Sequence, residues 1–142
     1  MKKRLPFIIA TALMTFFIFR NSMQTAEVSL ESSGVIVNFL NSILRIFDLR
    51  VNEAMLVHFV RKTAHIAEFT LHGILLAYCF DMQYKRRVIY ILFFGLLTAC
   101  VDEYLQLFSI GRASMVGDIF IDFIGTIIGT LIAGISYKFR RK

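Results

Sequence analysis

Arg61, His65, Glu68 and His72 recur at intervals of four, three and four residues, which puts them on one stripe of a helix. Asp102, Glu103 and Gln106 end a later apolar run, and Asp118 and Asp122, four residues apart, open the next. Arg112 lies between those two groups. His65 can exchange a proton near neutral pH, and Glu68, its neighbour at i+3, could orient or tune it. Asp102 and Glu103 are the other candidates for acid–base work. Arg61, Lys62 and Arg112 could hold a phosphate or pyrophosphate, arginine offering two parallel hydrogen bonds. Gln106, Asp118 and Asp122 complete the expected ligand-binding set. Alternatively, His65, Asp102, Asp118 and Asp122 could hold a divalent metal, because carboxylates and histidine facing each other across helices build such sites in bundles. Their spacing matches no strict metal motif. His65 and His72, seven residues apart on one helix, cannot clamp a haem iron from opposite faces. No serine or thiol forms a nucleophile–base pair. The same groups could instead only fasten helices, Arg112 on Asp118 or Arg61 on Glu68. Such networks are costly unless every member is satisfied.

The elements that must position these groups are set by composition. The chain has 142 residues, room for one domain, and is 57% apolar and only 18% charged, with fifteen phenylalanines, one proline and no tryptophan. Soluble domains carry about 25% charged residues, and a core this small could not hide so much aromatic surface. Disorder is excluded, and the bilayer is the natural solvent. Apolar runs predict four transmembrane helices over about 5–21, 62–80, 88–108 and 118–138. The first resembles a signal peptide in its basic start but lacks a clean small-x-small cleavage site, so an uncleaved helix is expected. Ile36, Phe39, Leu40, Ile43, Leu44 and Phe47 recur at helical spacing opposite Asn38, Asn41, Ser42 and Arg45. They predict an external amphipathic helix over about 35–47, with Ser29, Ser32, Ser33 and Gly34 as turn and cap before it. The Gly125-x3-Gly129-x3-Ala133 pattern reads as a close-packing seam. Cys79 and Cys100 sit in apolar runs, outside any CxxC or metal-ligand spacing, and read as buried small hydrophobes.

The net charge of +6 does not describe a nucleic-acid face. Ten of the sixteen basic residues form three clusters at the ends of apolar runs: Lys2-Lys3-Arg4, Lys85-Arg86-Arg87, and Lys138 with Arg140-Arg141-Lys142. Asp81 is the one acid near them. Four spans place all three clusters on the cytoplasmic side, with both termini, and leave the polar groups at the external ends of their helices. The expected fold is therefore all-α: one polytopic membrane domain over residues 1–142.

Those polar residues also carry a family likeness. Arg61-Lys62-Thr63-Ala64-His65-Ile66-Ala67-Glu68-Phe69 resembles the RKxxHxxEF/Y segment of VanZ-like membrane proteins. Asp102-Glu103-Tyr104-Leu105-Gln106-Leu107-Phe108, followed by Gly111-Arg112, resembles their DExxQxF…GR segment. Asp118 to Gly125, with Gly129 beyond, resembles their DxxxNxxGxxxG helix. The likeness runs from about Phe16 to Ala133. Asp122 stands where the pattern often has Asn, Ser109-Ile110 lacks the proline often found before Gly-Arg, and His72 replaces an apolar or small residue. The resemblance implies a multi-pass protein of the bacterial cytoplasmic membrane. It also implies a link to lowered susceptibility to teicoplanin-type glycopeptide antibiotics, and it transfers no catalytic residue.

Two functional readings follow. In one, an external pocket binds, and could modify, an anionic lipid-linked component of the cell envelope, such as a lipid-linked phosphate or cell-wall precursor. In the other, a non-catalytic membrane helper assembles with or masks envelope machinery through its amphipathic helix, and the polar cluster is structural. The bilayer is a partner in both; nucleic acid is a partner in neither.

Overall fold

The computed structural model describes residues 4–49, 51–80, 85–112 and 114–139. They form five α-helices: α1 (Leu5–Ser22), α2 (Ala26–Ile46), α3 (Glu53–Phe80), α4 (Val88–Gln106) and α5 (Val116–Phe139), with a short 3-10 turn at Lys85–Arg87. No strand occurs among the described residues. Pro6 starts α1, where its missing N–H is no loss. Thr25 caps α2, its hydroxyl accepting from the Val28 amide. Asn52 accepts from the Ala54 amide at the start of α3.

Among the described residues, three helices are long and apolar enough to cross a membrane: α1, α4 and α5, with mean hydropathies of 1.4, 1.8 and 2.0. The distribution of side chains is inverted relative to a protein in water. Asp102 (0% exposed), Glu103 (2%) and Asp122 (2%) are buried, while Phe16 (64%), Phe93 (58%) and Leu131 (60%) face outward. In water this would strand apolar area outside and place carboxylates inside. In lipid it is the favoured arrangement, because ionisable groups face the bundle interior. Cys79 is half-buried and Cys100 is exposed on the outer surface, so neither matches the expectation of a fully buried thiol.

α3 is the hub, packing on α1, α2, α4 and, most extensively, α5. The small-residue seam explains how close that last contact is. A Cβ on Gly129 would meet the Thr70 carbonyl oxygen at 2.0 Å, and one on Gly125 the Ile66 carbonyl oxygen at 2.7 Å. Only hydrogen fits there, so the two backbones approach as in other small-xxx-small contacts. Leu76, Ala77, Ile91 and Ala133 fill the far end of the bundle, and Ile18, Phe69 and Ala99 its middle. At the far end Tyr78 stacks on Phe7 at 5.0 Å and lies 5.1 Å from Tyr137. The start of α1 and the ends of α3 and α5 therefore share one end of the molecule. Of the basic clusters, Lys2, Lys3, Arg140, Arg141 and Lys142 lie outside the described residues, as does Asp81.

α2 differs from the sequence expectation. It spans 21 residues from Ala26 rather than starting near residue 35, and Ser29, Ser32, Ser33 and Gly34 lie inside it instead of ahead of it. Ser33 does not break the helix because its hydroxyl bonds within it: Ser33 Oγ donates to the Ser29 carbonyl at 2.9 Å. The cap is Thr25. Val37, with Leu40 and Leu44, packs on Leu56, Val57 and Val60 of α3, while Val35, Ile36, Phe39 and Ile46 remain exposed. α4 ends at Gln106, two residues short of the expected 108, because the chain turns through Leu107–Ser109.

Candidate functional site

The end of the bundle opposite Tyr78 holds the polar residues. α1 ends there, α3 passes through with Arg61, Lys62, His65 and Glu68 on adjacent turns, α4 ends with Asp102, Glu103 and Gln106, and α5 begins with Asp118 and Asp122. The α4–α5 connection bends back at Gly111, whose φ of 78° is left-handed backbone suited to glycine. The bend carries Arg112 over the end of α1: Arg112 Nη2 donates to the Asn21 carbonyl at 3.1 Å, and Ser109 Oγ donates to the Ser22 carbonyl at 2.7 Å. The Ser109 bond satisfies a carbonyl that the end of α1 leaves without a helical partner, and Arg112 adds a second donor to the Asn21 carbonyl, which also accepts from the Gln24 amide.

A cavity of about 200 Å³ opens among α3, the end of α4 and the start of α5. Arg61, Lys62, His65, Gln106, Arg112, Asp118 and Asp122 line it, joined by His58, Gly111, Met115 and Ile121. A second cavity, of about 180 Å³, shares Arg61, His65 and Arg112 and extends past Glu68 and Asn21 toward Ser29 and Ser33 of α2. The two guanidinium-bearing residues and His65 thus separate two compartments.

Within the main cavity Lys62 Nζ contacts Asp118 Oδ1 at 2.6 Å. Asp118 thus pairs with Lys62 rather than with Arg112, the partner a purely structural network could have used. Glu68 likewise pairs with Asn21 rather than Arg61, its Oε1 accepting from Asn21 Nδ2 at 3.2 Å. Arg61 is left facing both cavities. Arg112 Nε and Nη1 are buried and have no hydrogen-bond partner. Burial pushes the Arg112 guanidinium below its usual pKa, and the charge of Arg61 acts in the same direction, against the opposing influence of Asp102, Glu68 and Glu103.

Behind the cavity wall, His65 Nδ1 lies 3.5 Å from Asp122 Oδ1 and 4.0 Å from Asp102 Oδ2. Asp102 is held by one donor on each oxygen, Ser22 Oγ at 2.5 Å and Gln106 Nε2 at 3.1 Å. Asp122 Oδ2 is buried without a partner. One ligand atom from each of His65, Asp102 and Asp122 lies within 4.8 Å of the others, so these three could hold a metal ion. Asp118, the fourth metal candidate from the sequence, is occupied by Lys62 instead.

Two residues of the sequence pattern stand apart. Glu103 is not in the cavity lining; its Oε1 accepts from the Met115 amide and ties the α4–α5 connection to α4. His72 sits in the stripe by spacing, but helical drift carries it to α1, where its Nε2 lies 3.0 Å from Thr15 Oγ1. Conversely, the spacing argument missed Asn21, Ser22, Ser109 and His58. The signal for the first two was available: an Asn-Ser pair directly after an apolar run places polar groups at the end of the first helix.

A protein-family model described as VanZ/LLP1 matches residues 7–137, nearly the whole chain. No curated protein and no solved structure matches it. The match spans all five helices and every residue of the polar end, so the chain belongs to the VanZ-like family.

Proposed function

We propose that this VanZ-like protein binds the anionic headgroup of a lipid-linked cell-envelope component at the outer face of the bacterial cytoplasmic membrane. In this reading α1, α3, α4 and α5 all span the bilayer, α2 lies along the external surface, and both termini are cytoplasmic. Support for the orientation comes from charge. Arg4, Arg86, Arg87 and Lys138 belong to the Tyr78 end by the element order, away from the cavity, as the positive-inside pattern requires. At about 1.5 Å per residue the 28 residues of α3 reach roughly 42 Å, beyond the hydrocarbon core of about 30 Å. Its first turns, up to Arg61 and Lys62, then stand at headgroup level.

One observation carries the binding reading: Arg112 presents two buried guanidinium nitrogens without partners beside Arg61, on the wall of a 200 Å³ cavity. Buried N–H donors left unmade are unfavourable by about 1–3 kcal/mol each. Nε and Nη1 lie on different edges of the guanidinium and Nη2 is taken by Asn21, so each free nitrogen can give one charge-assisted hydrogen bond to a phosphate oxygen. His65, at the same wall, is the group for proton transfer should the bound component also be modified. Sequestering a lipid-linked precursor would be the route to lower susceptibility to glycopeptide antibiotics. The test is titration of the detergent-solubilised protein with a polyprenyl phosphate. Wild type should bind saturably, and Arg61→Ala and Arg112→Ala should each weaken binding at least tenfold while eluting as folded protein. Equal affinity in all three overturns the reading.

A second reading rests on α2, whose exposed Val35 (78%) and Phe39 (65%) form an apolar outer face. There the protein is a non-catalytic helper that docks envelope machinery through α2. It predicts that Phe39→Ser and Ile43→Ser abolish the cellular phenotype while phosphate-lipid binding is untouched.

A further inference from the structure

We infer that His65, Asp102 and Asp122 form a binding site for a divalent first-row transition-metal ion, set into the wall of the cavity. Three helices contribute one ligand each: His65 from α3, Asp102 from α4 and Asp122 from α5. The donor set is one imidazole nitrogen and two carboxylates, which suits manganese, iron or zinc better than calcium or magnesium because of the nitrogen.

Geometry favours a shared cation over direct hydrogen bonding. The separations from His65 Nδ1, 3.5 Å to Asp122 and 4.0 Å to Asp102, exceed the 2.7–3.2 Å range typical of an N–H···O bond. Ligand bonds of about 2.0–2.2 Å put neighbouring donors about 3.0–3.4 Å apart, so Asp122 already stands near ligand spacing from His65 and Asp102 must close by up to about 1 Å. The three ligand atoms already lie within 4.8 Å of one another.

Charge and burial supply an independent argument. Asp102 is 0% and Asp122 2% exposed, and Asp122 Oδ2 has no hydrogen-bond partner. Lys62, the nearest ammonium, is engaged by Asp118. One imidazole can balance at most one of two buried carboxylates, and the remaining charge is costly in a bundle interior without a cation. Asp102 also has the support expected of a ligand. Ser22 and Gln106 each donate to one of its oxygens, fixing the carboxylate as outer partners fix metal ligands elsewhere. His65, Gln106 and Asp122 line the cavity, so open coordination positions would face its contents.

The test is titration with Co²⁺, whose visible bands report coordination, on full-length protein purified without a histidine tag and stripped with chelator. Wild type should bind one equivalent with bands for a mixed nitrogen–oxygen site. Asp122→Asn and His65→Ala should lose the bands and weaken binding about 100-fold or more. Ser22→Ala, which frees one oxygen of Asp102, should weaken it about 10–100-fold. Arg112→Ala should bind Co²⁺ as wild type does while losing phosphate-lipid binding, so the metal site and the anion reading fail separately. Absence of saturable Co²⁺ binding to wild type overturns the proposal without recourse to any variant. So does unchanged binding in Asp122→Asn, a near-isosteric substitution that decides the matter if His65→Ala does not fold.

Discussion

Along its seam, the α3–α5 interface leaves no room for a methyl group at Gly129, where a Cβ would stand 2.0 Å from the Thr70 carbonyl. Two turns toward the start of α5 the same helices part around a 200 Å³ cavity, crossed by the Lys62–Asp118 ion pair. One region is held by backbone proximity and the other by charge. The contrast teaches that the dense seam fixes the axes, so the polar end does not have to hold the bundle together. Its groups can remain incompletely paired, as Arg112 and Asp122 are.

The comparison can be broken most severely at the seam. Gly129→Val should abolish monodisperse protein in detergent. The added side chain meets backbone that cannot move away, beyond the about 1–3 kcal/mol typical of overpacked but yielding cores. Size-exclusion chromatography and thermal unfolding check this, and a stable, wild-type-like variant would contradict the close approach. Next in size, Arg112→Ala should weaken polyprenyl phosphate binding at least tenfold, about 1.4 kcal/mol. Its stability should fall by only about 1 kcal/mol, since one hydrogen bond to Asn21 is lost. A collapse in stability would make Arg112 a fastener. Lys62→Met removes a pair whose side chains are 31% and 28% exposed, and unfolding should register about 0.2–1 kcal/mol, less at high salt. An effect of similar size is a gain. Gly34 has open space where a Cβ would be and lies inside α2, so Gly34→Ala should stabilise by about 0.4–1 kcal/mol in thermal unfolding.

Much of this architecture is legible in the residues. The apolar runs locate α1, α4 and α5, and the four-three spacing of Arg61, His65 and Glu68 places them on the face that meets Asp102 and Asp122. Pairings are less legible. Spacing shows which residues share a face but not how far a side chain reaches, so Lys62 rather than Arg112 meets Asp118. The start of α2 was hidden because Ser29, Ser33 and Gly34 carry turn chemistry in most settings. Here the hydroxyl of Ser33 bonds one turn back along its own helix. Ser22 is legible as a polar group at the end of α1 but its partner is not, because Asp102 lies 80 residues away, a contact only tertiary packing creates.

The most direct test of the account is native mass spectrometry of wild type and Arg112→Ala, released from the same mild detergent. A phosphate-bearing lipid retained by wild type and absent from the folded variant is the predicted result. The same lipid load on both proteins, or none on wild type after reconstitution with excess polyprenyl phosphate, would contradict the claim that this cavity is an anion-binding site.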